Sequence, residues 1–100
     1  MIPQKRKPTH PGRILLKHFL EELPMSQKEL LEHINKNNKN WTYAKINEII
    51  NEKRGITPET ALVFSDVFGT TPHFWLNLQQ NLDLFLAKAN HKTIKKIKSA

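Results

Sequence analysis

The sequence predicts a single all-α domain of about five helices. Apolar residues recur at intervals of three and four positions along most of the chain, and no segment shows the alternation of a half-buried strand. Hydroxyl residues that precede a proline, or stand three positions before a carboxylate, mark several helix starts. A chain of 100 residues has room for one hydrophobic core of modest size.

The first two helices are expected on either side of Pro24. Pro11 suits the first turn of a helix, where its missing N–H leaves no hydrogen bond unmade. Pro24 ends this helix, because the residue before a proline avoids the α conformation. Ser26 and Glu29 then form the capping-box pattern that begins a second helix. The expected apolar faces are Ile14, Leu15, Phe19 and Leu23 in the first helix, and Leu30, Leu31 and Ile34 in the second.

A polar loop and a third helix follow. Residues 35–40 read NKNNKN, and asparagine tolerates the left-handed backbone conformation that turns require. Thr42 can cap a third helix that extends to about Glu52. The residues expected to face the core are Ile46, Ile49 and Ile50, and those expected to face outward are Tyr43, Ala44, Lys45, Asn47 and Glu48.

The fourth and fifth helices are the most apolar. Thr57-Pro58-Glu59 is expected to begin the fourth helix and Gly69 to end it. This helix should be central, because it is apolar on most sides through Ala61, Leu62, Val63, Phe64, Val67 and Phe68. Thr71-Pro72 begins the fifth helix, whose apolar stripe is Trp75, Leu78, Leu82, Phe85 and Ala89. Other apolar residues, Phe74, Leu76, Leu84 and Leu86, lie off that stripe, so the helix is either buried centrally or shared with another subunit. The residues expected to contact a second subunit or partner are Phe74, Leu82, Phe85 and Leu86.

Charge divides the chain into three parts. Residues 1–54 hold eleven basic and six acidic groups, residues 55–87 hold three acids and no Lys or Arg, and residues 88–100 hold five lysines and no acid. We expect a flexible basic arm over residues 1–9, a helical domain over 10–90 and a basic tail over 91–100. A net charge of +7 suits a polyanion such as nucleic acid, although solvated surfaces can have the same composition.

Several other classes of protein are disfavoured. The chain has no cysteine, which excludes disulfides and Cys-ligated metal sites and fits a reducing cytoplasm. No apolar run approaches the roughly 20 residues of a membrane span, and the N-terminus lacks the apolar stretch of a secretory signal. The five histidines show no metal-ligand spacing and the three glycines form no phosphate loop. We therefore expect no enzyme activity, no cofactor or metal, and no membrane partner.

The second and third helices have the layout of a helix-turn-helix, in which the later helix enters the major groove of DNA. Asn47 can bond adenine, Glu48 can accept from cytosine, and Ala44 can contact a thymine methyl group. The cations expected to meet phosphates are Lys45, Lys53 and Arg54. An ordinary exposed helix face with mixed polar groups remains the alternative interpretation.

Several motifs resemble one known family. His10-Pro11-Gly12 with Ile14-Leu15, followed by Ser26-Gln27 and Glu29-Leu30, is similar to the start of an XRE-type helix-turn-helix domain of the HigA antitoxin group, also called virulence-associated protein I. The later runs ITPETAL (56–62), FGTTP (68–72) and FWLNLQ (74–79), with Asp83-Leu84, strengthen the resemblance. It covers about residues 10–86, and FWLNLQ is its most specific part.

The resemblance implies a λ-repressor-like antitoxin that dimerises, represses its own promoter at an operator and neutralises a HigB- or RelE-like mRNA-cleaving toxin. By this resemblance, Gln27 matches a position that contacts phosphate and braces the third helix. Asn51 matches a position after the third helix that also contacts phosphate. The positions that match DNA-facing ones are Thr42, Tyr43, Ala44, Lys45 and Glu48.

The chain departs from the family pattern at three places. The NKNNKN turn is longer than usual, which leaves the register of the third helix open. Glu52 stands where glycine is common, and Arg13 stands where an acid is common. Two alternatives also remain, a stand-alone regulator without a toxin and a protein-interaction module that uses the apolar stretch 55–87. An adjacent toxin-like reading frame would distinguish an antitoxin from a stand-alone regulator. Binding to DNA would distinguish an antitoxin from a protein-interaction module.

Overall fold

Five helices make up most of the chain in this computed structural model, which describes residues 6–98. They are α1 (Pro11–Ile14, continued by a π-helical stretch, Leu15–Leu20), α2 (Gln27–Asn35), α3 (Tyr43–Ile50), α4 (Pro58–Phe68) and α5 (Pro72–Ala89). No strand occurs within residues 6–98, so the all-α prediction is confirmed. Residues 1–5 of the predicted arm and 99–100 of the predicted tail lie outside the described residues.

The predicted hydroxyl caps begin the last four helices. Ser26 and Glu29 form the reciprocal capping box of α2, with the serine Oγ accepting from the Glu29 N–H at 3.0 Å and the Glu29 carboxylate accepting from the Ser26 N–H at 2.8 Å. The hydroxyls of Thr42, Thr57 and Thr71 each accept from the backbone N–H three positions later. Because these bonds satisfy N–H groups that a helix start leaves unpaired, they fix each boundary locally.

The first helix differs from the prediction at its second half. It was expected to continue to Pro24 with Leu23 on its apolar face, yet it ends at Leu20 and Leu23 is 53% exposed. The π-helical winding has more residues per turn than an α-helix, and the Glu21 N–H bonds to the Leu16 carbonyl five positions earlier. This winding brings Leu20 into the core, at 2% exposure, in the place expected for Leu23.

The fourth and fifth helices are less enclosed than expected. In α4, Ala61, Val63 and Phe64 are buried, but Leu62 is 55% exposed. In α5, Trp75 and Leu82 are buried, while the exposed apolar side chains are Phe74, Leu84 and Leu86. None of the helices in the described part of the chain is long and apolar enough to cross a membrane.

Aromatic side chains around Trp75 form the centre of the core. The Trp75 ring is fully buried and lies 5.0 Å from Phe64 and 5.2 Å from Phe19, measured between ring centroids. Its indole N–H donates to the Thr70 hydroxyl at 2.7 Å, so its polar atom is satisfied. The same block of sequence supplies Gln79, whose side-chain oxygen accepts from the Ile56 N–H at 2.7 Å. The FWLNLQ segment therefore joins α5 both to the core and to the link between α3 and α4.

The start of α1 packs directly against the backbone of α3. Gly12 is buried, and a Cβ atom at this position would overlap the carbonyl group of Ile49. Only a glycine allows the two backbones to approach so closely. The contact places α1 behind the helix that was predicted to read DNA.

His10 stabilises the same contact between α1 and α3. It caps α1, and its Nδ1 accepts from the Gly12 N–H at 2.9 Å. Burial of the ring lowers the pKa of His10, an effect that Lys7 supports and that the carboxylates of Glu52 and Asp83 oppose. The folded state therefore favours the neutral imidazole, which is the form that can accept at Nδ1.

We predict that Gly12→Ala destabilises the fold, because the added methyl group forces α1 away from the Ile49 carbonyl. Overpacking of this kind costs about 1–3 kcal/mol of unfolding free energy, measured by chemical denaturation. Gly69→Ala is the contrasting variant, since Gly69 has a φ of 73° but open space around it. It should also lower stability, through backbone strain and not through overlap with a neighbouring atom. A Gly12→Ala protein of wild-type stability would contradict the close approach.

We predict that unfolding free energy falls as pH is lowered below about 6.5, the pKa expected of histidine in the unfolded chain. The folded-state pKa of His10 is lowered, so its contribution is fully present above that value and is lost as pH falls through the folded-state pKa. His10→Asn keeps a capping acceptor that does not titrate. Denaturant titrations from pH 7.5 to 5.5 should therefore give a shallower decline for His10→Asn, and equal slopes would refute the role of His10.

Candidate nucleic-acid interface

The third helix presents the two faces that the sequence predicts. Ile46 and Ile49 are fully buried and Ile50 is 8% exposed, which confirms the core face. Tyr43 is 50% exposed and Ala44 is also exposed, both in the first turn of α3. Because the N-terminal residues of a recognition helix contact base edges, these two side chains are the freest to meet DNA.

Three amide side chains connect α2 to α3. Asn51 donates from Nδ2 to the side-chain oxygen of Asn47 at 3.1 Å and to its backbone carbonyl at 2.9 Å. Asn47 in turn donates from Nδ2 to Oε1 of Gln27, in the first turn of α2, at 3.2 Å. The structure thus brings together three predicted site residues and uses the Asn47 amide to brace the helices. Asn47 is half-buried here and is less available to adenine than its sequence position indicates.

Glu48 and Arg54 form an ion pair. The Arg54 guanidinium donates from Nη2 and Nε to one carboxylate oxygen of Glu48, at 2.7 and 2.9 Å. The sequence assigned Glu48 to cytosine and Arg54 to phosphate, but here each neutralises the other. Both side chains remain partly exposed, so contact with DNA would compete with this pair without requiring it to open.

Lys45 lies over the indole ring of Trp41, with Nζ 4.1 Å from the ring centroid. Partial burial lowers the pKa of Lys45, and the nearby positive charge of Arg54 lowers it further. Favourable contact with the ring face holds the ammonium group in one place. Lys53, the third predicted phosphate contact, is exposed after the end of α3.

Trp41 and Asn35 are structural residues of this region that sequence reasoning did not identify. Trp41 is 8% exposed, and its backbone bonds twice to the side chain of Asn35. A single large aromatic residue beside an otherwise polar loop was the available signal. Within the loop, Asn38 adopts the left-handed conformation at φ 64°, as asparagine-rich turns allow.

The end of α3 also carries a left-handed residue. Glu52 has a φ of 63°, at the position where the resembling family commonly has glycine. The Lys53 N–H bonds to the Glu48 carbonyl five positions earlier, as at a helix C-terminus closed by a left-handed residue. Glu52 therefore closes α3 in the left-handed geometry that glycine usually provides at a helix end, at a cost in backbone strain.

The predicted partner-contact residues of α5 divide into three groups by their exposure. Leu82 is 3% exposed and belongs to the core, so its assignment to a contact surface is wrong. Phe74 and Leu86 are exposed by 39% and 47%. Phe85 is half-buried and lines a groove of about 510 Å³ whose charged lining residues are Arg6, Lys7 and Lys88.

Comparison with known proteins identifies relatives along most of the chain. It is 41% identical over 90 residues to YbaQ, an uncharacterized HTH-type transcriptional regulator of Escherichia coli K12, which covers 88% of this chain and 74% of the relative. It is 32% identical over 85 residues to antitoxin HigA-1 of Vibrio cholerae, which covers 85% of this chain and 75% of the relative. No protein-family model matches the chain.

A solved structure has the same fold. The Pseudomonas aeruginosa antitoxin HigA, determined with the higBA promoter, superposes with a TM-score of 0.74 and 34% identity, covering 82% of this chain and 84% of that chain. These relatives are regulators and antitoxins, and not enzymes. The chain belongs to the HigA-type family of helix-turn-helix antitoxins and transcriptional regulators.

Proposed function

We propose that this protein is a DNA-binding antitoxin that represses its own promoter as a homodimer and neutralises an mRNA-cleaving toxin of the RelE type in the bacterial cytoplasm. The observation that carries the DNA-binding part is the capped N-terminus of α3. There, Tyr43 and Ala44 are exposed, and the next residue, Lys45, places its ammonium group over the ring of Trp41. The solved structure of the Pseudomonas aeruginosa antitoxin HigA with promoter DNA supports DNA binding by this fold.

The interface divides by chemistry into groups that read bases and groups that bind phosphate. Tyr43 and Ala44 are proposed to contact base edges and thymine methyl groups. Phosphates are assigned to Thr42, Gln27, Asn51, Lys45 and Lys53, which supply affinity without sequence information. Asn47, Glu48 and Arg54 make internal contacts that compete with contacts to DNA. The basic arm, residues 1–9, and the basic tail, residues 91–100, are proposed to add phosphate contacts.

We predict that Tyr43→Ala weakens binding to promoter DNA by about 1–3 kcal/mol, because it removes one contact to the base edges in each half-site. Unfolding free energy should change by less than about 0.5 kcal/mol, since the side chain is exposed. Mobility-shift titrations on the duplex upstream of the gene and on a scrambled duplex measure both affinity and preference.

Ile49→Ala is the matched control in the same helix. It should lower unfolding free energy by roughly 2–5 kcal/mol through the cavity that it leaves. At temperatures where it stays folded, its preference for the promoter should persist. A wild-type protein whose binding shows no promoter preference, or no loss of affinity with rising salt, would contradict the proposed function.

A two-fold dimer would bring two copies of α3 to adjacent turns of the operator. The proposed contact surface consists of Phe74, Phe85 and Leu86, because a 100-residue chain leaves these apolar side chains at least partly exposed.

We predict that Leu86→Glu produces a monomer at micromolar concentration without unfolding the protein, because the carboxylate would be buried at the interface. Leu82→Ala is the internal control and should lower unfolding free energy by about 2–5 kcal/mol while leaving the dimer intact. Sedimentation equilibrium measures the first and chemical denaturation the second. A Leu86→Glu protein that remains a dimer would place the interface elsewhere.

A stand-alone regulator without a toxin is the second candidate, favoured by the 41% identity to YbaQ. A short reading frame beside the gene, whose expression arrests growth unless this protein is present, would support the antitoxin. Growth that is unaffected by the neighbouring genes, together with promoter binding, would support the stand-alone regulator.

A further inference from the structure

The turn between α2 and α3 is closed by a side chain. Seven residues, 36–42, separate the two helices, whereas about three to four are typical of the motif. Each added residue brings backbone freedom that would loosen the start of α3. Asn35, the last residue of α2, accepts from the Trp41 N–H at 2.9 Å and donates to the Trp41 carbonyl at 3.0 Å. This pair of bonds, the Asn35–Trp41 clamp, joins the two ends of the turn and bypasses residues 36–40.

Trp41 contacts both the hydrophobic core and a residue of the candidate interface. Its ring lies 5.8 Å from the ring of Phe64 in α4, measured between centroids, and is almost entirely buried. The ammonium group of Lys45 lies 4.1 Å from the centroid of the same indole. Trp41 also directly precedes Thr42, the capping residue of α3. One residue therefore connects the end of α2, the core, the start of α3 and a cation of the interface.

The geometry points to Asn35 and Trp41 as positioning residues for DNA recognition. The clamp positions Trp41 directly before the Thr42 cap of α3, and the indole ring holds the Lys45 ammonium group ready for a phosphate. This inference rests on the proposed function, and neither residue contacts DNA in it. A lysine held in this way loses less rotamer freedom on binding than a free one.

The clamp is tested by Asn35→Ala, with Asn40→Ala as the matched control in the same turn. Loss of the clamp should reduce affinity for the promoter duplex about tenfold, equivalent to one misplaced base contact, and change affinity for scrambled DNA less than about threefold. Asn35→Asp keeps the acceptor for the Trp41 N–H but places a carboxylate oxygen against the Trp41 carbonyl in place of the donor, so it should also open the clamp and reduce affinity for the promoter duplex. Asn40 is exposed, and Asn40→Ala should change neither affinity.

The role of the ring is tested by a double-mutant cycle between Lys45→Ala and Trp41→Phe. Phenylalanine preserves an aromatic contact with Phe64 but offers a weaker face to a cation than tryptophan. Lys45→Ala should therefore weaken promoter binding by a larger factor in the wild-type background than in the Trp41→Phe background. Equal factors would show that the ring does not position the ammonium group.

A purely structural role predicts a different pattern. Asn35→Ala would then lower stability while the folded protein, checked by circular dichroism, retained wild-type affinity and promoter preference, and this result would overturn the inference. If Asn35→Ala does not fold, Asn35→Asp and the double-mutant cycle decide the question. A wild-type protein that fails to bind its promoter refutes the proposed function itself, whereas wild-type binding with an unaffected Asn35→Ala refutes only the positioning role.

Discussion

The close approach of Gly12 to the carbonyl of Ile49 is the constraint on which the arrangement of the helices depends. It brings the backbone of α1 against the rear of α3, where side chains would otherwise keep the helices farther apart. His10 completes the junction by accepting from the Gly12 N–H. The position of α3 is thus defined by backbone contact on one side and by its three buried isoleucines, and its outer face is left free for a ligand.

Local signals allowed most of the fold to be predicted from the sequence. The caps at Ser26, Thr42, Thr57 and Thr71 depend on residues three positions apart, so they can be read without tertiary information. The first helix was mispredicted because π-helical winding changes which leucine faces inward. The spacing of apolar residues in the sequence does not indicate where a π-helical stretch occurs. Leu82 was assigned to a surface because an apolar stripe does not distinguish contact with the core from contact with a partner.

The candidate interface was predictable in position and less so in detail. Sequence reasoning placed the exposed and buried sides of α3 correctly, because they follow from helical periodicity. It missed the Glu48–Arg54 pair and the Asn35–Trp41 clamp, which join residues six positions apart outside regular helix spacing. Such contacts arise from the path of the loops, and helical periodicity gives no information about them.

The amide chain on α2 and α3 has a direction. A backbone carbonyl can only accept, so the bond from Asn51 to the Asn47 carbonyl fixes which end of the Asn51 amide points inward. Asn51 then donates to the Asn47 oxygen, and Asn47 is left to donate to the oxygen of Gln27. Each bond thus fixes the orientation of the next amide, and within residues 6–98 the NH₂ group of Gln27 donates to no protein acceptor. This NH₂ group can therefore donate to an acceptor on a bound molecule, and a phosphate oxygen is such an acceptor.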